Sequence, residues 1–280
     1  VLANEKAVKA DREYLRQTRA QGFYPGVYYP HNVHFLWWAT LLEGRSKESL
    51  KQAKAAALYA TENICGPSKV LEAPRFRHLP WLTLLRFGRM NEILQVPQPA
   101  ATNDFLIDRA VWHFTRGLAL VSRKDATAAA KEQTALAQIA DGDEIKKLDS
   151  PQFPVSSILA VAKHWLAGRV AEAQGDSEKA VSELTRAVEI EDAIPYMEPA
   201  YWPLNVRPAL GAVLLRAGKA DKAEEIFRAD LKQMPRNGWG LLGLETSLRA
   251  QNRNEAADAV RRQFAETWKN ADTALEVSWF

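Results

Sequence analysis

This 280-residue chain carries a single cysteine, Cys65. One sulfur excludes an internal disulfide framework and a multi-cysteine zinc site. Long apolar runs are also missing. No stretch approaches the roughly 20 unbroken apolar residues of a membrane span, and the first residues do not follow the pattern of a signal peptide. Neither sign of charge dominates: 37 Lys and Arg stand against 34 Asp and Glu, a formal charge of +3, and the two signs are intermixed. That balance argues against a nucleic-acid surface. Strand-like alternation is nearly absent. So are a phosphate-binding glycine loop, a dinucleotide fingerprint, a His-Glu-x-x-His motif and a Gly-x-Ser-x-Gly elbow. The remaining balance, 47% hydrophobic and 25% charged, is that of a folded globular protein.

Apolar residues recur at spacings of three and four along most of the chain, as in Val206, Leu210, Val213, Leu214 and Ala217. This is the helical period. Gly44, Gly88, Gly175 and Gly218 interrupt it, each placed to stop one helix before the next begins. The segments therefore come in pairs, and the pairs repeat. Gly175 follows Gly168 by seven residues and Gly218 follows Gly211 by seven. Ala180 and Ala223 each follow by twelve. Residues 30–61, 74–96, 104–140, 157–192, 204–235 and the stretch from 236 form six such units. A lone helix from about Leu2 to Arg19 precedes them, with Ala3, Ala7, Ala10 and Tyr14 expected on its packed face. The fold expected is all-α: one right-handed superhelical solenoid of about six antiparallel helix pairs spanning residues 1–280.

Residues 204–235 resemble a tetratricopeptide repeat: Leu210-Gly211, Ala223, Phe227 and Pro235 match its pattern, and Trp239 with Leu242-Gly243 opens the next unit. A narrower block, Tyr28-Tyr29-Pro30-His31-Asn32-Val33-His34-Phe35-Leu36-Trp37, is similar to one in a family of larger bacterial tetratricopeptide proteins. Glu198-Pro199, Tyr201-Trp202, Val206-Arg207 and Pro235-Arg236-Asn237-Gly238-Trp239 match a later block of that family, with Ala200 where a second proline is expected. The resemblance implies a soluble bacterial protein and a chain that is the C-terminal part of a longer one. Its N-terminal face then packs on further helical repeats or on a partner.

The same resemblance places the second and fifth positions of each first helix in a concave groove. His31, His34 and His78 fall on such positions. His31 and His34, three apart, share one helix face. Imidazoles so spaced suit zinc, copper, nickel or iron, or an anion near a helix start, although a plain capping or packing role is favoured over either. His113 and His164 are expected in the core. Between the fourth and fifth units, 194–203 is a proline-stiffened segment carrying Tyr196, Glu198, Tyr201 and Trp202. It is either a wall for a ligand or a filler between mismatched pairs. Asn32 and Arg207 complete the expected site. Arg75 and Arg77 beside His78 offer forks for a carboxylate or phosphate. Two functions follow: a groove that binds a peptide or protein segment, or a metal- or small-ligand-binding protein, with or without enzymatic chemistry. An open polar groove favours the first; one filled by Trp, Tyr and His favours the second.

Overall fold

The computed structural model describes residues 1–20, 24–61, 76–151 and 153–276. Cys65 and Arg75 lie outside them. Among the described residues the chain is helical, with no strand and one isolated bridge between Ser150 and Phe153. No described helix is long and apolar enough to cross a membrane.

Helix α1 (Leu2–Thr18) is followed by a π-helical turn (Tyr24–Tyr28) and α2 (Tyr29–Leu42). Next come α3 (Ser46–Thr61), α4 (Leu79–Arg86) and α5 (Met90–Leu94). Then follow α6 (Leu106–Ser122), α7 (Ala126–Ala140), the short α8 (Asp143–Lys146), α9 (Val155–Ala173) and α10 (Ser177–Ala193). The last helices are α11 (Arg207–Arg216), α12 (Ala220–Gln233), α13 (Gly238–Ala250) and α14 (Asn254–Thr267). Consecutive helices pack in pairs: α2 on α3, α4 on α5, α6 on α7, α9 on α10, α11 on α12 and α13 on α14. Each pair also touches the next. Gly44, Gly88, Gly175 and Gly218 end the first helix of their pairs with φ of 76°, 68°, 88° and 74°. Only glycine takes that conformation without a Cβ penalty.

The two helices of a pair differ in burial, and the difference is written in their composition. Every residue from Arg207 to Leu214 in α11 and from Gly238 to Glu245 in α13 is buried. A helix apolar on all sides belongs inside. Their partners bury one stripe: Ala223, Phe227 and Asp230 in α12, and Ala257, Val260 and Phe264 in α14. Phe227, fully buried, drives its ring tip between the two inner helices. A Cβ on Gly211 would stand 2.5 Å from its Cζ, and one on Gly243 would overlap the same ring edge.

Units α6–α7 and α9–α10 share several residues at an offset of 51. Gly117 corresponds to Gly168, His113 to His164, Glu132 to Glu183, and Asp125 to Asp176. Both aspartates cap their helices, accepting from Ala128 N and Lys179 N at 2.9 Å. Both histidines hold the matching glutamate, at 2.6 and 2.7 Å. His113 is buried as expected. His164 is only partly buried, and its bond to Glu183 fixes it instead.

The two ends of the array meet. Asp272 accepts from Ser46 N at 2.6 Å and from Lys47 N at 3.1 Å, capping α3 from the far end of the sequence. Trp268 lies against both Gly44 and Gly238 and meets Trp239 edge-on at 4.9 Å. Farther inside, the Arg86 guanidinium at the end of α4 stacks 3.5 Å over Trp239 and donates to Asn237 Oδ1 at 3.2 Å.

One expectation for α1 is reversed. Its packed face carries Val8 and Asp11, whereas Ala3, Ala10 and Tyr14 face outward. Polar anchors set the orientation: Asp11 accepts from Tyr24 Oη at 2.6 Å and Asn32 Nδ2 at 2.7 Å, and Asn4 donates to Phe35 O at 3.3 Å.

Candidate functional site

The 194–206 connection between α10 and α11 leaves a gap that the helices do not fill. Several parts of the chain wall it into a cavity of about 800 Å³. Trp38 and Leu42 come from α2, and Glu191 and Asp192 from the end of α10. The connection itself supplies Pro195, Tyr196, Met197, Glu198, Tyr201 and Trp202, and the α12–α13 turn supplies Gln233 to Asn237. A cavity of this size, mostly aromatic and aliphatic with a few polar groups, has the dimensions of a small-ligand site.

Several polar groups on the wall and just behind it are tied to one another. Arg207 grips Asp192 with both terminal nitrogens, at 2.9 and 2.5 Å, and also donates to Gln233. Burial pushes the Asp192 carboxyl up, but the bonds from Arg207 and Gln233 outweigh it and hold the carboxyl below its ordinary value. Glu191 accepts one bond, from Val206 N at 3.2 Å. Burial raises it to about 8, with Asp230 and Asp192 adding to the effect. Behind it, Asp230 is fully buried and accepts from Asn237 Nδ2 at 2.7 Å. Burial raises it to about 6 against the opposing pull of Asn237, Arg86 and Arg207. Arg86 itself is lowered to about 9 by burial. Glu198 accepts from the hydroxyl of the exposed Tyr196.

A second, smaller cavity of about 20 Å³, room for one water, shares the 200–203 wall. It is lined by His34, His78, Tyr201 and Trp202 among apolar side chains. Trp202 is 5% exposed, packs on Phe114 and Trp165, and its indole N–H finds no hydrogen-bond acceptor among the described residues. His34 stacks on Trp37 at 5.3 Å and meets Phe76 edge-on. His78 Nδ1 stands 3.5 Å from Asp108 Oδ1.

The structure thus brings His34, His78, Tyr201 and Trp202 to one place and puts Tyr196 and Glu198 on the adjoining cavity. Three expected members fall elsewhere. His31 is exposed and packs on Phe35 at 4.7 Å. Three residues of helix set the two imidazoles about 60° apart around the axis, enough to carry one of them out of the buried sector of α2. Asn32 holds Asp11 of α1. Arg207 is spent on Asp192 and does not reach the cavity. Among the described residues no three His, Cys, Asp or Glu side chains are placed to hold a metal ion. Arg77 is likewise occupied, by Asp108 at 2.7 Å and Asp104 O at 2.7 Å. Trp38, Gln233, Met234 and Asn237 are not among the expected site residues. The doubled Trp37-Trp38 is their one signal in the sequence, since of two adjacent tryptophans in a helix one must leave the core side.

No family model matches this chain, and no curated protein matches it.

Proposed function

We propose that this chain is a tetratricopeptide-type protein that binds a compact ligand in the cavity between α2, the 194–206 connection and the α12–α13 turn. In this reading the helix pairs stack antiparallel in a right-handed array whose two ends meet, so the inner space is a chamber and not an open trough. The observation that carries it is the burial of α11 and α13 over their whole inner lengths, which leaves those helices no free face for an extended peptide. The aromatic lining and the volume suit a small molecule or the end of a chain.

Thermal unfolding against a small-molecule collection and a set of unstructured peptides tests the reading. A ligand at a hundred times its Kd stabilises the folded state by about 2.7 kcal/mol. Small-molecule hits lost in the cavity-filling variant Ala200→Trp support it. Peptides of ten residues or more that bind equally well to wild type and to Ala200→Trp would instead favour a groove on the outside of the array.

A further inference from the structure

We propose that the ligand of the large cavity is a neutral oligosaccharide, with one pyranose ring stacked on Tyr196. The inference rests on the reading of that cavity as a ligand site and names the class of molecule it selects.

The charges on the wall favour neither sign. Asp192 is answered by Arg207 at 2.9 and 2.5 Å. Glu191 is pushed up by burial to about 8. One carboxylate remains, Glu198, and one guanidinium, Arg236, which is exposed and forms no ion pair among the described residues. One charge of each sign suits a ligand with no net charge.

The hydrogen-bonding groups on the wall are of both kinds. Arg236 donates, and Glu198 accepts, from the Tyr196 hydroxyl. Asn205 does both. Its amide N–H rests on the Met234 sulfur at 2.8 Å, a weak acceptor, and its carbonyl oxygen takes no bond among the described residues. A carboxylate ligand can only accept and an ammonium ligand can only donate. A hydroxyl donates one hydrogen and offers two lone pairs, so a polyol answers all three side chains. Asn205 is the specific pointer, because exchanging a thioether for a hydroxyl oxygen improves its bond.

The aromatic surface matches a sugar ring. Tyr196 lies on the cavity wall and is 85% exposed. Its hydroxyl is tied to Glu198, within a segment stiffened by Pro195, Pro199 and Pro203. Held by its edge, the ring keeps its faces open. Tyr201 and Trp38, both half-buried, add rings to the same wall. A pyranose is two-sided. Its C–H face is apolar and weakly positive and lies on the electron-rich face of an aromatic ring, while its hydroxyls reach outward. A wholly apolar ligand needs an enclosed slot, whereas Asp192, Gln233 and Arg236 leave this cavity a polar, water-exposed rim. A volume of about 800 Å³ has room for more than one ring.

Calorimetry on the whole chain with cellotetraose, maltotetraose, mannotetraose and chitotetraose decides it. Tetragalacturonate and deacetylated chitotetraose serve as the anionic and cationic counterparts. At least one neutral tetrasaccharide should bind with a Kd of about 1 mM or lower, about tenfold or more tightly than either charged one. Tyr196→Ala should weaken that binding about tenfold or more, through loss of the ring face. Tyr196→Phe keeps the ring and should stay within a few-fold of wild type. Asn205→Ala should weaken binding several-fold. Tyr14→Ala, at an exposed tyrosine outside the cavity, should change nothing. Far-UV circular dichroism confirms that each variant is folded. Sugar binding untouched by Tyr196→Ala, or tighter binding of a charged tetrasaccharide, overturns the sugar inference and leaves the cavity reading standing. So does binding of no sugar when other small molecules bind and are lost in Ala200→Trp. Binding of nothing at all, or binding that survives Ala200→Trp, overturns both.

Discussion

Replacing Gly243 by alanine sets two opposed effects against each other in one methyl group. Gly243 lies inside α13, where alanine is intrinsically favoured over glycine by about 1 kcal/mol. Its Cβ, however, would overlap the edge of the Phe227 ring. That ring is fully buried, and its tip fills the crevice between α11 and α13, where a Cβ on Gly211 would stand 2.5 Å from the same Cζ. Moving away from Gly243 means withdrawing from both helices. Overpacking of this kind costs about 1–3 kcal/mol. The packing term is the larger, and the net expectation is a loss of up to about 2 kcal/mol.

Urea unfolding followed by circular dichroism reads this as a lower midpoint at unchanged slope. The decisive comparison is the same substitution in a Phe227→Leu background. With the ring gone the clash disappears, and Gly243→Ala should become neutral or stabilising, a coupling of about 0.5–3 kcal/mol between the two sites. Gly218→Ala is the control. Its Cβ would meet nothing, but its φ of 74° makes alanine strained by about 1–2 kcal/mol whatever residue 227 is. If Gly243→Ala raises the midpoint in the wild-type background, or costs as much in the Phe227→Leu background as in the wild type, the wedge has been misread.

Two further predictions concern the ends of the array and the charges under the cavity. Asp272→Ala removes the cap of α3 and should cost about 1 kcal/mol, with faster hydrogen exchange at Ser46 and Lys47 as its local signature. Burial pushes the Asp272 carboxyl up, but its bonds to Ser46 and Lys47 win and hold it low. Its contribution is therefore present above the ordinary carboxylate value of 3.8 and is lost as pH falls through the lower folded one. Glu191 and Asp230 behave in the opposite sense. Their folded values of about 8 and about 6 lie above the ordinary 4.5 and 3.8, so the folded state keeps protons that the unfolded chain has released. Their combined effect lowers stability as pH rises from about 4 to 8, and Glu191→Gln and Asp230→Asn should each flatten that slope. A slope unchanged in both variants would show that neither carboxyl is held neutral.

The local architecture is legible in the sequence because it is written in short-range chemistry. Glycine stops, three- and four-residue apolar spacing and the Gly211–Ala223 register depend on residues within one pair, and the helices lie where those signals put them. The proline-stiffened 194–203 segment reads from sequence as either a wall or a filler, because its aromatic residues have no helical period to place them, and Trp202 in fact packs into the core against Phe114 and Trp165. Sequence reading errs where orientation depends on a polar partner far along the chain. The α1 face is misassigned because Asp11 and Asn4, not the alanines, make the contacts with 24–35. Spacing of three puts the Cβ atoms of His31 and His34 near one face, but His34 lies at the edge of the buried sector of α2 and His31 falls just outside it. Arg207 has no partner beside it in sequence, and only the fold reveals Asp192 waiting 15 residues upstream.

The meeting of the ends changes what stability means for such a chain. In an open stack each helix pair answers only to its neighbours, and the terminal pairs fray independently. Here Arg86 is tied to Asn237 across 151 positions, and Ser46 to Asp272 across 226. The entropic cost of joining distant segments grows only slowly with their separation, and the packed pairs between them have already brought the ends close. The cavity inherits this dependence. Trp38 and Leu42 belong to the first pair, whereas Gln233, Met234 and Asn237 lie at the junction of the last two. Separating the ends dissolves the wall, so the open form has no site. A ligand that binds only the closed form then stabilises the closure by an amount that grows with the logarithm of its concentration over Kd, and protection from hydrogen exchange should extend to α3 and α14, which touch no part of the cavity.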